Sequence, residues 1–217
     1  MGDNGTYLLS NNTQRKSVLD MQASVLARYR KTGKWNFILP YTPEEKRKFF
    51  PTDENGKPYY NLGVYTDGVL KTSMLLKRRP ENFGISPLQA PTELLKAVNP
   101  CMISHWLASP FKTHNDLRRS VKVFQDSGHI AQAEGHDWLF AKIHPNNCVT
   151  RHVIQKSFPT IKVLGECQSE IRGDKDIRLV YGLPLVGLDI YANTDSRDKL
   201  PDARGLCHIS EAVHLYN

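Results

Sequence analysis

Three histidines lie on or beside strand-like apolar runs of the sequence, and each of them could serve as a general base. His105 lies within the run 101–109, while His136 and His144 stand at the two ends of the next apolar run. An imidazole titrates near neutral pH, so it can accept a proton from a nucleophile under ordinary conditions. Asp137 could orient such a ring. The competing interpretation of each histidine is an outward-facing or core residue without a chemical role.

The elements that position these histidines centre on residues 136–166, which predict a strand, a turn, a helix and a second strand. Trp138, Phe140 and Ile143 belong to a near-continuous apolar run, which is typical of a central strand covered on both faces. Pro145 ends this strand because proline has no N–H to donate to a neighbouring strand.

A helix is predicted directly after that turn. Asn146 is expected to be its N-cap, and the helix should reach Phe158, because Pro159 forbids its continuation. One face of it is a mainly apolar stripe, in which Val149, Val153 and Ser157 recur at steps of four residues with Ile154 beside them. The next strand alternates, with Ile161 and Val163 expected to face inward.

Further elements are predicted ahead of this stretch. They are a helix from Ser17 to about Lys31, a short helix from Thr42, a hairpin of strands 59–65 and 69–76, a short helix over Thr92–Lys96, a strand over 101–109 and a helix starting at Asn115 or Asp116. The hairpin is indicated by the dipeptide Asp67-Gly68, since both residues tolerate the positive φ angles of a tight hairpin turn.

The C-terminal part predicts two closing strands, 177–181 and 185–191, which should pair across a turn at 182–184. Residues 1–16 are expected to form a polar leader or a first edge strand, and residues 193–217 a loop and a last closing element. One domain would therefore span 17–192, and 217 residues are enough to bury a single substantial core.

The helix after the central strand carries a family resemblance. The pattern Asn146-x-x-Val149-x-x-x-Val153-x-x-x-Ser157-Phe158 resembles the Asn-x-x-Ala-x-x-x-Tyr-x-x-x-Gly-Phe pattern of the GNAT superfamily of N-acetyltransferases. The predicted order of elements is similar as well. The resemblance implies an α/β (α+β) fold, a single GNAT-like domain whose central mixed, mostly antiparallel sheet is flanked by helices.

The resemblance also implies an acyl donor, either acetyl-CoA or another acyl thioester carried by CoA or by acyl carrier protein. The pantetheine arm of this donor would lie between the strands 101–109 and 138–143. Its pyrophosphate would lie at the N-terminus of the helix that follows the first of these strands. The positions implied for donor binding are Leu107, Ser109, Lys112, Thr113, His114, Asn115, Leu117, Arg118, Arg119, Ser120 and Asn146. The usual loop Gln/Arg-x-x-Gly-x-Gly/Ala is replaced here by Thr113-x-x-Asp116-x-Arg118. Arg118, Arg119 and Lys112 could supply charge-assisted bonds instead, or this could be the solvated basic face of an ordinary capped helix.

The same resemblance suggests the residues of the reaction. His105 is the preferred base, because its strand would line the donor cleft, and Tyr181 could replace the tyrosine acid that is absent at Val153. The segment Met102-x-Ser104-His105-Trp106 is also weakly similar to the Glu-x-Ser-Arg-Phe segment of acyl-homoserine-lactone synthases, which adds Ser104 as a catalytic candidate. The predicted function is an N-acyltransferase that moves an acyl group from a thioester to an amine.

The composition of the chain limits the chemical classes of partner that it is expected to bind. A net charge of +7 suggests an acidic partner, which could be a phosphorylated cofactor, an acidic carrier protein or a nucleic acid. No run approaches the roughly 20 apolar residues of a membrane span, and the four cysteines form no C-x-x-C pair, so a cytoplasmic protein without a metal site is expected.

Two alternatives to an acyltransferase stay open at this point. One is a degenerate GNAT fold that binds nucleic acid or serves as a structural protein. The other is a hydrolase that uses Cys101 with His136, because the segment 135–138 superficially resembles the histidine strand of papain-like proteases. The sequence makes no prediction about the oligomeric state.

Overall fold

A computed structural model describes residues 6–9, 12–32, 60–78, 85–86, 88–108, 114–171 and 174–192 of the chain. Seven strands and four helices lie within these ranges. In chain order they are β1 (Thr6–Leu8), α1 (Asn12–Thr32), β2 (Tyr60–Thr66), β3 (Val69–Arg78), α2 (Thr92–Lys96), β4 (Cys101–Ala108), α3 (His114–Ala133), β5 (Trp138–Ile143), α4 (Cys148–Ser157), β6 (Lys162–Ile171) and β7 (Asp174–Pro184).

The seven strands form one sheet in the order β1-β2-β3-β4-β5-β7-β6. Neighbouring strands are antiparallel throughout except for β4 and β5, which run parallel. Helix α3 connects these two parallel strands, as a crossover between parallel neighbours requires. The predicted α/β class with a mixed, mostly antiparallel sheet in a single domain is therefore confirmed.

Each face of the sheet is covered by two helices. Helices α3 and α4 pack on one face, here called the α3/α4 face, through a large core that includes Phe124, Val153 and Ile154. Helices α1 and α2 pack on the other, the α1/α2 face, where Val18 belongs to the α1 core and Leu94 to the α2 core. Strand β5 contributes to both faces, because its alternate residues belong to different cores, and this confirms its predicted central position.

The hairpin between β2 and β3 is confirmed. Its two turn residues, Asp67 and Gly68, have φ angles of 51° and 73°. Positive φ at both positions is what a two-residue type I′ turn needs, and the hand of that turn matches the twist of the strands it joins. The short helix predicted over Thr92–Lys96 is also present with these bounds.

The C-terminal pair of strands predicted at 177–181 and 185–191 is wrong. A single strand, β7, runs through 182–184 and pairs with β5 on one side and with β6 on the other. Gly182 is needed for packing rather than for a turn, because a Cβ there would lie 2.4 Å from Leu164 Cδ1. The chain after β7 turns away instead, and the side chain of Gln132 donates to two of its backbone carbonyls, those of Leu185 and Leu188.

Two predictions about individual positions are also corrected. Helix α1 begins at Asn12, well before Ser17. Val163 is 48% exposed rather than inward, because the register of β6 against β7 shifts between Val163 and Gly165, and such an irregularity reverses the alternation of side chains. The helix predicted from Thr42 and the closing element within 193–217 lie outside the described residues.

The N-cap of α4 is the remaining correction. Asn147, and not Asn146, caps this helix: its side chain accepts a hydrogen bond of 3.1 Å from the backbone N–H of Thr150. Asn146 lies in the preceding turn, where its own backbone N–H donates to Nδ1 of His144 at 3.0 Å. Two adjacent asparagines are equally good caps by residue type, so sequence could not choose between them.

Candidate functional site

A cleft opens between the two parallel strands of the sheet. Strands β4 and β5 pair only from Cys101 with Leu139 to Ile103 with Ala141, and within the described residues no pairing between them continues beyond this point. A cavity of about 130 Å³ lies where they separate. Its walls are formed by Ile103, Ser104, Trp106, Phe124, Ala141, Lys142, Ile143, His144, Asn147, Thr150 and Arg178.

Strand β4 carries a β-bulge at the point where β5 leaves it. Leu75 of β3 lies opposite His105 and Leu76 lies opposite Ile103, so Ser104 is the extra residue. A bulge reverses the alternation of side chains along a strand, and Ile103 and Trp106 consequently both pack in the core on the α3/α4 face. Beyond the bulge, the edge of β4 that faces the cleft is available to an extended ligand, which could add to it like another strand.

Aromatic side chains form the wall of the cleft on the α3/α4 face. The rings of Trp106 and Phe124 meet edge to face, with centroids 5.2 Å apart and planes inclined by 71°. Phe124 is fully buried. An edge-to-face pair of this kind fixes both rings, so this wall of the cleft is preorganised.

The start of α3 has an ion pair where the resemblance placed the pyrophosphate. Nη1 of Arg119 lies 2.7 Å from Oδ1 of Asp116, and Arg118 is exposed. The hydroxyl of Ser120 is buried and donates to the backbone carbonyl of Asp116 at 3.2 Å. Two cations and one carboxylate at the N-terminus of a 20-residue helix leave a positive excess, which suits an anion.

The other residues predicted for donor binding fall in several environments. Asn115 and Asn146 are exposed, Leu117 is partly buried against the main core, and Leu107 is fully buried in the core of α1. Ser109, Lys112 and Thr113 lie outside the described residues, as do the side chains of His105 and His114. The donor-binding role of this set stays a prediction.

Of the three catalytic candidates, Ser104 lines the cleft. It is exposed, and its hydroxyl donates to the backbone carbonyl of Leu75 at 3.4 Å. Tyr181 is fully buried beside Ala141, and its hydroxyl accepts a hydrogen bond of 3.1 Å from Nε of Arg151. Position 153 holds a fully buried valine, whose side chain has no proton to donate, so no acid stands there. Tyr181 would have to act from behind the cleft wall, and its role stays a prediction.

His136 and Asp137 are engaged at the end of β5 remote from the cleft. Nδ1 of His136 lies 2.9 Å from the backbone carbonyl oxygen of Asn99. The carboxylate of Asp137 accepts from the backbone N–H groups of Val98 and Asn99 at 2.6 and 3.0 Å. These contacts tie the start of β5 to the turn before β4, so Asp137 fixes a turn rather than orienting a histidine.

The hydrolase interpretation is contradicted by the environment of Cys101. This thiol is fully buried, and burial raises its pKa to about 12. A cysteine nucleophile reacts as the thiolate, which is negligible at neutral pH for such a pKa. Cys101 therefore serves as a core residue.

A polar cluster on the α1/α2 face was not predicted from the sequence. It consists of Lys142 on β5, His144 directly after β5, Ser169 on β6, and Asp176 and Arg178 on β7. Nη2 of Arg178 lies 2.5 Å from Asp176 Oδ2, and Nε2 of His144 lies 3.2 Å from Asp176 Oδ1. Nζ of Lys142 donates to the hydroxyl of Ser169 at 3.2 Å. The one indication in the sequence was Lys142, a charged residue in the most apolar strand.

Both ring nitrogens of His144 are occupied in this cluster. Because Nδ1 accepts the backbone N–H of Asn146, the ring proton is on Nε2, where it faces Asp176. Burial lowers the pKa of His144, although the carboxylate of Asp176 acts in the opposite direction. His144 is therefore neutral at neutral pH, and as a base it would first have to give up the Asn146 bond.

The lowered pKa of His144 predicts a pH-dependent stability. Unfolded histidine titrates near pH 6.5, so the unfolded state binds more protons than the folded state below that pH. The contribution is fully present above about pH 6.5 and is lost as pH falls towards the lower folded pKa. We expect the free energy of unfolding, measured by urea titration between pH 7.5 and 5, to decrease towards pH 5, and to decrease less in His144→Gln.

The matched control is His129→Gln, because His129 is exposed on α3. His152 contributes in the same direction as His144, since burial lowers its pKa as well. Part of the decrease in the free energy of unfolding towards pH 5 should therefore persist in His144→Gln. If the free energy of unfolding of His144→Gln decreased towards pH 5 as steeply as that of the wild type, the lowered pKa of the half-buried His144 ring would be contradicted.

Within the described residues, no helix is long and apolar enough to cross a membrane. The same part of the chain holds no group of three or more His, Cys, Asp or Glu side chains arranged to bind a metal ion.

No family model matches the sequence of this chain, and no curated protein does either. Solved structures do match, and they show that the chain shares the GNAT fold.

Three of these structures illustrate the match. An N-acetyltransferase from Staphylococcus aureus Mu50 superposes with a TM-score of 0.59 at 12% identity, over 84% of this chain and 98% of the other. YncA from Salmonella typhimurium, solved with its cofactor acetyl-CoA, gives 0.55 at 12% identity, over 85% and 95%. FeeM, an N-acyl amino acid synthase from uncultured soil microbes, gives 0.53 at 12% identity, over 86% and 93%.

Proposed function

We propose that this protein is an acyltransferase that moves an acyl group from a thioester donor to an amine. The observation that carries the proposal is the cleft between β4 and β5, where two parallel strands separate at a bulge and leave one strand edge open to an extended ligand. The arm of a CoA-type thioester is such a ligand, because its amide groups can pair with a strand edge. The similarity to acetyltransferase structures supports this proposal.

The donor would lie with its thioester near the bulge and its phosphates at the start of α3. There Arg118, Arg119 and the backbone N–H groups of the first helical turn favour negative charge. The opposite end of the cleft, on the α1/α2 face, is then free for the acceptor. The donor could be acetyl-CoA, a longer acyl-CoA or an acyl carrier protein, and the net charge of +7 is suited to each of these anionic partners.

The reaction requires one bond to form and one to break. The amine nitrogen attacks the thioester carbonyl carbon, a C–N bond forms, and the C–S bond breaks. His105 on β4 is the proposed base for the amine proton, and the departing thiolate takes up a proton, for which Tyr181 is the candidate donor. Backbone N–H groups at the bulge around Ser104 would polarise the carbonyl, since hydrogen-bond donors stabilise the negative charge that develops on its oxygen.

Thermal unfolding in the presence of donors tests this function. A ligand that binds only the folded state stabilises it by about 2.7 kcal/mol at 100 times its Kd, and each kcal/mol raises the Tm of a chain of this size by about 2–4 °C. We expect at least one of acetyl-CoA, a long-chain acyl-CoA and acyl carrier protein to raise the Tm, with adenosine as a control. If none of the three raised it, the alternative of a non-catalytic GNAT fold would be favoured.

A further inference from the structure

The wall of the cleft on the α3/α4 face includes the first turn of α4. Asn147 and Thr150 line the cavity there, beside Phe124 of α3. A donor whose thioester lies at the bulge shares this cavity, so the groups on this wall face the atoms that react. Among the described residues that line the cavity, Ser104 on β4 and Thr150 on α4 carry hydroxyl groups.

The hydroxyl of Thr150 has a hydrogen to donate. No group within the described part of the chain accepts a hydrogen bond from it, whereas the hydroxyl of Ser104 donates to the carbonyl of Leu75. A hydroxyl inside a helix commonly donates to the carbonyl four residues earlier, as Ser157 does to Val153 at 2.7 Å. Four residues before Thr150 the chain is still in the turn that precedes α4, so its hydroxyl is left for the cavity.

The first turn of α4 is fixed by bonds to its surroundings. The backbone N–H of Thr150 donates to the side chain of Asn147 at 3.1 Å. The next residue, Arg151, donates to the hydroxyl of Tyr181 on β7 at 3.1 Å and to the carbonyl of Pro145 at 2.8 Å. Thr150 is therefore held in place relative to the sheet. Donors that are preorganised in this way stabilise a developing charge most effectively.

The charge that develops at this place in an acyl transfer is that of the departing sulfur. Val153, where the GNAT pattern has its tyrosine, is fully buried, but Thr150 lies three residues before it and therefore on the same side of the helix. An alkyl thiol titrates near pH 8.5, and an aliphatic hydroxyl is a much weaker acid. Thr150 can therefore donate a hydrogen bond to a thiolate without giving up its proton.

We infer that Thr150 is a catalytic residue whose hydroxyl donates a hydrogen bond to the thiolate as it leaves. This inference rests on the proposed acyl transfer and adds the group that stabilises its leaving sulfur. When the C–N bond forms and the C–S bond breaks, the electron pair of the C–S bond moves to sulfur, which Thr150 then stabilises. The thiolate afterwards takes up a proton from Tyr181, the candidate proton donor, or from water.

Thr150→Val removes the hydroxyl and keeps the branched shape, while the backbone bond to Asn147 is retained. Initial rates of thiol release are measured with the donor that raises the Tm and a panel of primary amines, namely amino acids, polyamines and peptides. Because a hydrogen bond to a charged group is lost, we expect kcat to fall roughly 10- to 100-fold, with the KM of the donor almost unchanged.

Thr150→Ser should restore most of kcat, because it restores the hydroxyl. Thr160→Val is the matched control, since Thr160 is exposed in the turn after α4, and it should leave kcat unchanged. An unchanged kcat in Thr150→Val would overturn the inference, and so would a Thr150→Ser variant as slow as Thr150→Val.

A binding measurement tests the thiolate directly, with the free thiol product of the donor and its S-methyl thioether as ligands. Between about pH 6.5 and 8.5 the wild type should bind the thiol more tightly as pH rises, because a site that stabilises the thiolate lowers the pKa of the bound thiol. The thioether cannot ionise and should not show this increase, and Thr150→Val should reduce it. The charged or titratable groups in the described cavity walls are Lys142, His144 and Arg178, which both variants retain.

The two hypotheses fail in different ways. If a donor raised the Tm and an amine were acylated, but Thr150→Val showed the same pH-dependent increase in thiol affinity as the wild type, the inference alone would be overturned. If no donor bound and no amine were acylated, the proposed function would fail and the role of Thr150 with it.

Discussion

His105→Ala is expected to lower the turnover number of acyl transfer by roughly 100-fold or more, which corresponds to about 2.7 kcal/mol of transition-state stabilisation. His105 follows the bulged Ser104 on β4, at the point where the cleft opens. If it takes the proton of the attacking amine, its loss slows the chemical step and leaves donor binding almost unchanged. Steady-state rates and a donor titration by thermal shift measure the two effects separately.

The neighbouring histidines provide the comparison. His144→Ala should reduce stability more than turnover, because both nitrogens of His144 are bonded to other protein groups. His136 lies at the other end of β5 and is bonded to Asn99, so His136→Ala should behave in the same way. If His105→Ala kept the wild-type turnover and His144→Ala lost it, the general base would have to be reassigned to His144.

The central unit of the fold could be predicted from sequence because its determinants are local. The apolar run of β5, the proline that ends it and the four-residue stripe of α4 act within a few residues of one another. The hairpin turn at Asp67-Gly68 is determined locally as well, since it depends on the φ angles of these two residues. These predictions are confirmed to within a few residues.

The features that sequence could not supply depend on pairing between distant strands. The bulge at Ser104 is defined by the pairing of β4 with Leu75 and Leu76 of β3, and no residue type within β4 indicates it. Gly182 resembled a turn residue, but it is required by the approach of Leu164 and Phe140 from neighbouring strands. Short glycine-containing segments are ambiguous in sequence, because a turn and a close contact both favour the absence of a side chain.

The polar cluster at the candidate acceptor end of the cleft could not be predicted from sequence for the same reason. Lys142, Ser169 and Arg178 are far apart in sequence and meet because β7 lies between β5 and β6 in the sheet. The prediction of two short strands at the C-terminus, in place of the long β7, removed this arrangement. Of this cluster, His144 could therefore be named as a candidate from sequence, whereas the arrangement around it required the strand order.

The second large effect is expected at the start of α3. Changing Arg118 and Arg119 together to alanine should weaken CoA-type donors by about 1.5–3 kcal/mol for each charge-assisted bond that is lost. The fold should persist, because the partly exposed pair of Arg119 with Asp116, at 2.7 Å, is of a kind that contributes at most about 1 kcal/mol. Donor titration by calorimetry, with Arg28→Ala on the remote helix α1 as control, measures the loss.

Asp116 acts against the two arginines at this site. Its carboxylate is paired with Arg119, and Asp116→Asn should strengthen donor binding by removing a nearby negative charge. A different result for the double alanine variant would place Arg118 and Arg119 against a nucleic acid instead of a donor. If the double alanine variant kept its donor affinity and instead bound RNA or DNA with a clearly smaller salt dependence than the wild type, the start of α3 would face a nucleic-acid backbone. The donor-binding assignment of Arg118 and Arg119 would then be wrong.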